Sequence, residues 1–210
     1  MEALDYREKS RIAFDAQAAT YDMSEKGAHA RGLYGHVADA LVEAGLGVDG
    51  APDVLDLGCG TGALALRLLD LVPACRIVGV DISPNMVKRA RAAVDGRADI
   101  VEADSASLPF HDESFDFAFC NDSFHHYPDP ERAIFETWRV LRPGGAFVIG
   151  DCALPFVSRA VMNAFIRFSH EGDVRIYSEG EMREILGTWF GSVSWRRIGL
   201  TSCVAIARKD

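Results

Sequence analysis

No apolar run in this 210-residue chain approaches the roughly 20 residues that a membrane-spanning helix requires. The N-terminus is mixed and charged, without the apolar stretch of a secretory signal. Positive charge is also short. Lys and Arg number 22 against 31 Asp and Glu, a formal net charge of −9. A general nucleic-acid binder needs a basic face to meet phosphates, so that class is not expected. Attraction to an anionic membrane is disfavoured on the same ground, and no membrane partner is expected. The local basic run Lys88, Arg89 and Arg91 reads as a solvated helix face. Cysteines are few: Cys59, Cys75, Cys120, Cys152 and Cys203 are scattered, odd in number and without a CxxC pair. A disulfide framework or zinc site is not expected, and a reducing cytoplasm fits. Internal repeats and long linkers are missing too, so residues 1–210 read as one domain.

What is present is a regular alternation. Residues up to about Gly50 read as a helical cap. Ile12, Phe14, Ala18 and Tyr21 give one loose helical face, and Leu33, Val37 and Leu41 a second. Residues 51–151 then alternate strands with helices. The strands are Asp53–Leu57, Arg76–Val80 ending in Asp81, Ala98–Glu102, Ser114–Cys120 and Ala146–Asp151. Ser83-Pro84 caps and starts one helix. Asp129–Leu141 is another, broken by Pro143-Gly144-Gly145. Such alternation implies a parallel sheet covered on both faces. Residues 152–190 read as helical, Phe156–His170 and then Ser178–Leu186, with Ser178 and Glu181 in capping-box spacing. Residues 191–210 close with the runs Ser192–Ile198 and Ser202–Ala207, an antiparallel hairpin.

The stretch Val54-Leu-Asp-Leu-Gly-Cys-Gly-Thr-Gly62 carries the most chemistry. A strand ends in an acid, and a glycine-dense turn opens a helix. Glycines allow close backbone approach to a ligand, and the new helix offers free N–H groups and a positive dipole end. Gly58-x-Gly60-x-x-Ala63 also fits the loose dinucleotide fingerprint, so a nicotinamide oxidoreductase is the rival reading. Asp56 argues against it. A carboxylate beside a pyrophosphate repels, whereas beside an ammonium group it attracts. The helices before the first strand and the further acid Asp104 point the same way.

Four segments resemble class I S-adenosylmethionine-dependent methyltransferases of the small-molecule type. They are Leu55–Gly62, Val78-Gly-Val-Asp-Ile-Ser-Pro-Asn-Met86, Leu141-Arg-Pro-Gly-Gly145, and the N-terminal Phe14-Asp-Ala-Gln-Ala-Ala-Thr-Tyr-Asp22. The resemblance implies a Rossmann-like three-layer α/β/α sandwich. Its seven-stranded sheet would be mostly parallel, with the antiparallel hairpin at the C-terminus. It implies S-adenosyl-L-methionine as cofactor and S-adenosyl-L-homocysteine as product. Gly58, Cys59 and Gly60 would wrap the methionine portion, with Asp56 facing its ammonium group. Asp81 would accept both ribose hydroxyls, since one carboxylate suits two adjacent donors. Ile82 and Met86 would contact adenine, Asp104 would accept from its amine, and Ser105 would lie nearby. Asn121 and Tyr21 complete the cofactor set. For Asp81 and Asp104 the plainer reading is a helix cap or turn former.

Methyl transfer needs a nucleophile held in line with the methyl, and positioning alone supplies roughly 7–11 kcal/mol in favourable cases. A base adds about 10²–10⁴-fold for a hydroxyl or amine acceptor. The catalytic candidates are His126 and its neighbour His125, which cannot both point the same way; a structural role for His126 stands beside the catalytic one. Adjacent ligands suit no common metal spacing, so no metal site is expected from His125, His126 and Asp129. The acceptor is expected to be a small molecule. The N-terminal helices, Pro155–Ile176 and the His125–Pro128 loop are its candidate walls, with Phe156, Phe165, Phe168, His170, Arg175 and Tyr177 as lining or as core. A monomer or homodimer is expected. A catalytically silent relative that binds cofactor or partner is the alternative.

Overall fold

The computed structural model describes residues 3–25, 27–48 and 50–210. Two helices lead, α1 (Ala3–Gln17) and α2 (Ala28–Glu43). Then come β1 (Asp53–Leu57), α3 (Ala63–Leu71), β2 (Arg76–Asp81), α4 (Pro84–Val94) and β3 (Asp99–Glu102). They are followed by β4 (Phe115–Asn121), α5 (Pro130–Val140) and β5 (Leu141–Cys152). The chain finishes with α6 (Phe156–Phe165), α7 (Glu179–Gly187), β6 (Ser192–Ile198) and β7 (Ser202–Arg208).

All strands join one 7-stranded sheet in the order β3-β2-β1-β4-β5-β7-β6. β1 to β5 pair in parallel, and β7 runs antiparallel to both β5 and β6. The expected mostly parallel sheet with a terminal hairpin is therefore the one that forms. Successive strand residues point to opposite faces, and both faces are covered. Leu55, Leu57, Phe147 and Ile149 pack with Ile134 of α5 and Leu186 of α7. Val54, Phe119 and Val148 pack on the other side with Leu41 of α2 and Leu68 of α3. This two-sided burial explains why the strands read as near-continuous apolar runs.

Local signals fix several helix ends. Ser83 Oγ accepts the Met86 N–H at 3.1 Å, with Pro84 at the first helical position. Ser178 and Glu181 form the expected capping box on α7. Asp129 Oδ1 accepts the Arg132 N–H and so caps α5.

Three expectations need correction. The Pro143-Gly144-Gly145 run does not separate helix from strand. β5 already begins at Leu141, and its register against β4 jumps from Phe115↔Leu141 to Phe117↔Ala146. The extra residues form a bulge that Gly144 accommodates at φ 78°. The helix expected over Phe156–His170 stops at Phe165 and ends in a single 3-10 turn, Ile166–Phe168. Tyr21 lies beyond α1, in a 3-10 turn over Tyr21–Met23. No helix among the described residues is long and apolar enough to cross a membrane.

Candidate active site

Strand order reverses between β1 and β4, and in open α/β sheets the crevice outside the strands' carboxyl ends at such a point receives ligands. A cavity lies there. Tyr21, Asp56, Gly58, Cys59, Gly60, Asp81, Ile82, Met86, Asp104, Ser105 and Asn121 all line it. The sequence-selected cofactor residues are thus brought to one place.

The turn after β1 is built against its neighbours. Gly58 and Cys59 donate their N–H groups to Val80 O at 2.9 and 3.0 Å, which clamps the turn onto β2. Gly58 takes φ 72°, and a Cβ there would lie 2.4 Å from Ser123 Oγ. Only glycine meets both conditions. The Gly60 N–H donates to Asp81 Oδ2 at 2.8 Å, and the Ser83 N–H to Asp81 Oδ1 at 2.9 Å. Asp81 therefore organises the turn while facing the cavity. Burial raises its carboxyl to about 6, against the lowering effect of the Ser83 and Gly60 N–H groups.

Asp56 is 2% exposed, and its buried Oδ2 has no hydrogen-bond partner among the described residues. Burial first, and the neighbouring Asp81 charge second, push its carboxyl well above the usual range. Leaving such a group unpaired is costly, so a cationic or N–H-bearing ligand is the natural complement. Asn121 repeats the pattern. Its Nδ2 donates to Ala30 O at 3.2 Å, while its buried Oδ1 is unpartnered among the described residues. These donor-hungry oxygens and the glycine cradle fit the ammonium, ribose and amino acid portions of S-adenosylmethionine.

The N-terminal segment closes over this cavity, to which Arg7, Ser10 and Phe14 contribute. Asp15 Oδ1 accepts from Ser83 Oγ at 2.5 Å and from the Asn85 N–H at 3.0 Å. Asp22 Oδ1 accepts from Thr61 Oγ1 at 2.6 Å. The two acids of the Phe14–Asp22 motif therefore stitch the cap to α4 and to the glycine turn. Arg7 pairs with Asp104 at 2.9 Å, and the Ala106 N–H donates to Asp104 Oδ1. Asp104 thus acts as a turn former as well as facing the cavity.

A second cavity adjoins the first. Phe14, Tyr21, Asp122 and His126 line both, and His29, His125, Cys152, Met162 and Ile176 line only the second. His125 and His126 sit in one 3-10 turn with rings 4.0 Å apart, yet they differ sharply. Burial opposes charge on His125, but buried Asp151, 2.6 Å from its Nδ1, outweighs it and holds the imidazole well above its ordinary value. Asp151 is correspondingly lowered: burial alone would raise it, and the His125 cation overcomes that. His126 is pushed well below its ordinary value by burial and by the His125 charge. Its ring meets Phe14 edge-on at 5.0 Å, with Nδ1 3.1 Å from Asp173 Oδ1.

Sequence reasoning missed His29 and Asp122. His29 Nδ1 lies 2.6 Å from Asp122 Oδ1 and Nε2 2.8 Å from Ser202 Oγ. The Asp122 hydrogen bond raises the His29 imidazole. Asp122 takes φ 57°, a conformation that ordinary side chains avoid, and such strain collects at functional sites. Its position directly after β4 was the available signal; His29 offered none. The aromatics of the later helices, read as cavity lining or as core, divide. Phe156, Phe165 and Phe168 are exposed and line neither cavity, while Tyr177 is buried in the core. Arg175 pairs with Glu181. Asp129 caps α5 and does not join the histidines.

Residues 55–149 match the family described as a methyltransferase domain. The chain is 39% identical over 145 residues to malonyl-[acyl-carrier protein] O-methyltransferase of Hahella chejuensis, covering 67% of this chain and 49% of that enzyme. It spans half or less of several other curated relatives. It is 32% identical over 159 residues to the ubiquinone/menaquinone biosynthesis C-methyltransferase UbiE of a Geobacter species, covering 64% of this chain and 68% of that one. Among solved structures, the [4+2]-cyclase SpnF superposes with a TM-score of 0.69 at 22% identity, over 83% of this chain and 80% of that chain; at that identity the likeness concerns the fold. The domain match, the coverage of UbiE and the acid-and-glycine cradle at the sheet's switch point agree, and the chain belongs to the S-adenosylmethionine-dependent methyltransferase family.

Proposed function

We propose that this protein transfers a methyl group from S-adenosyl-L-methionine to a small-molecule acceptor. The unpartnered buried Oδ2 of Asp56, facing a cavity it shares with Asp81, carries the reading. In it Asp56 and Asn121 hold the amino acid portion, the Gly58–Gly60 backbone wraps it, and Asp81 takes the ribose hydroxyls. Ile82 and Met86 flank the adenine, with Asp104 and Ser105 at its edge. When bound, the cofactor supplies a sulfonium-held methyl that an acceptor takes by in-line displacement, leaving S-adenosyl-L-homocysteine.

The acceptor enters the second cavity. Phe14 and Tyr21, which line both spaces, exclude water from their junction and orient the acceptor toward the first. His126 sits at that junction as a neutral imidazole and holds a proton released by a hydroxyl or amine. His125, kept cationic by Asp151, positions that ring. Residues 1–50 act as the cap, 51–151 as the cofactor core, 152–190 as the acceptor wall and 191–210 as the closing hairpin. All five cysteines are free, in keeping with a cytoplasmic setting. The relatives named above act on an acyl-carrier-bound malonyl group and in quinone biosynthesis, which supports a biosynthetic acceptor. Calorimetry with S-adenosylhomocysteine tests the reading: saturable binding at micromolar ligand is expected, and no binding at millimolar ligand would sink it.

A further inference from the structure

α6 is built with its polarity reversed. Phe156, Val157, Ala160, Val161, Ala164 and Phe165 recur at helical spacing on one side. None of the helix's residues is buried. Phe156 is 74%, Val157 71%, Val161 53% and Phe165 65% exposed. The helix is tied to the body by a polar residue: Asn163 Nδ2 donates to Ile176 O at 3.0 Å, and Asn163 Oδ1 accepts the Ile176 N–H at 2.9 Å. The fold thus anchors the helix by an amide and turns its apolar stripe outward. Contiguous exposed apolar surface on this scale marks an interaction site.

The hairpin tip offers a further exposed apolar residue near the root of α6. The Ala153 N–H donates to Thr201 O at 2.7 Å, which sets the root of α6 against the turn bearing Leu200, 77% exposed. Two arginines border this face, while Glu171 and Asp122 lie with Met162 at the second cavity. Arg159 lies over the Phe156 ring at 5.8 Å, and Arg197 Nη1 donates to Ala153 O at 3.1 Å. From Ala153 to His170 the sequence has no Asp or Glu, in a chain whose net charge is −9. Apolar residues with a basic border are the make-up of a helix that lies in a lipid interface. Two copies meeting stripe to stripe would set Arg159 of each against a helix that carries no Asp or Glu.

We propose that α6 and the Leu200 tip dock the protein on an anionic lipid surface. The chain's overall negative charge does not forbid this, because salt screens charges beyond about 8–10 Å. Met162 on the same helix lines the second cavity, so the surface would hold that cavity at the membrane. Supply of an apolar acceptor from the bilayer rests on the methyltransferase reading; the docking does not.

The test is flotation of the full chain with vesicles of phosphatidylcholine containing about one-third phosphatidylglycerol. The wild type is expected to float with these vesicles, more weakly at high salt and with phosphatidylcholine alone. Phe156→Ser/Phe165→Ser should lower the bound fraction at least about tenfold, and Arg159→Glu should lower it without touching the stripe. Both changes lie on the surface, and unchanged S-adenosylhomocysteine affinity in the same preparations shows that the variants are folded. No flotation of the wild type, or equal flotation of the double variant, overturns the proposal. So does a wild-type dimer in sedimentation velocity that the double variant dissociates. Loss of S-adenosylhomocysteine binding in the wild type would instead refute the cofactor reading and leave the docking result standing.

Discussion

Asp81→Asn separates the two tasks this carboxylate is given, holding the glycine turn and receiving the ribose. Hydrogen bonds to a charged acceptor are worth about 1.5–3 kcal/mol, and neutral ones about 0.5–1.5. Two ribose hydroxyls therefore lose about 2–3 kcal/mol when the charge is removed, or about 30- to 150-fold in affinity. The asparagine amide also turns a donor toward either the Gly60 or the Ser83 N–H, which adds to the loss. pH supplies an independent check. With the Asp81 carboxyl at about 6, most of it is ionised at neutral pH and about a tenth at one unit below that value. Binding that needs the ionised form should weaken about tenfold between pH 7.5 and 5. Asp56, also raised by burial, adds to the same acid limb. Calorimetry with S-adenosylhomocysteine from pH 5 to 8 measures both effects, with a thermal melt to show that the variant is folded. Affinity within twofold of wild type, together with an unchanged acid limb, would refute the ribose assignment.

Asp56→Asn should act in opposite directions on stability and binding. Relief of a buried, unpaired carboxylate raises the melting stability of the free protein by about 1–3 kcal/mol, while S-adenosylhomocysteine binding weakens at least about tenfold; a destabilised variant would contradict the assignment. Ser178→Ala removes the capping box of α7 and should cost about 1 kcal/mol by urea melt, with S-adenosylhomocysteine affinity unchanged. A neutral result there would mean that α7 is held by packing alone.

Legibility in the sequence followed the range of the interactions involved. The strand-turn-helix of Val54–Gly62 was readable because its signals are local: a buried run, glycines with positive φ, and an acid at the strand end. Ser83, Asp129 and Ser178 were readable for the same reason, since a cap is satisfied within a few residues. The start of β5 was not. Pro143-Gly144-Gly145 carries break signals, yet the segment is drawn into the sheet by Gly144 N–H to Lys209 O at 3.0 Å and Lys209 N–H to Gly145 O at 2.9 Å. Those partners lie at the far end of the chain. α6 shows the same limit. Its amphipathic spacing was visible, but which face meets the body depends on the bond between Asn163 and Ile176, and that bond turned the aromatics outward. His29 reaches Asp122 across much of the chain, and no periodicity announces it.

The histidine pair shows how one buried acid assigns roles to two identical side chains. Rings 4.0 Å apart cannot both be charged cheaply, so whichever holds a proton suppresses the other. Asp151 decides: it accepts the His125 N–H at 3.0 Å and lies 2.6 Å from His125 Nδ1, so the cation belongs to His125. The neutral ring is then His126, the one that lines both cavities. Asp151→Asn removes that choice. The His125 imidazole should fall toward its ordinary value of 6.5, and His126 should rise as its charged neighbour is lost. Stability follows with a definite sign. His125, raised on folding, contributes fully below 6.5 and loses that contribution as pH rises through its folded value. Asp151, lowered on folding, contributes above 3.8 and loses its contribution as pH falls through its folded value. The stability gap between wild type and Asp151→Asn should therefore be widest between 3.8 and 6.5 and should narrow on both sides. Imidazole titration by NMR and urea melts across this range measure the two effects. If His126 takes the first proton in the wild type, the ring at the junction is a cation, and the proton-holding role falls to His29 with Asp122.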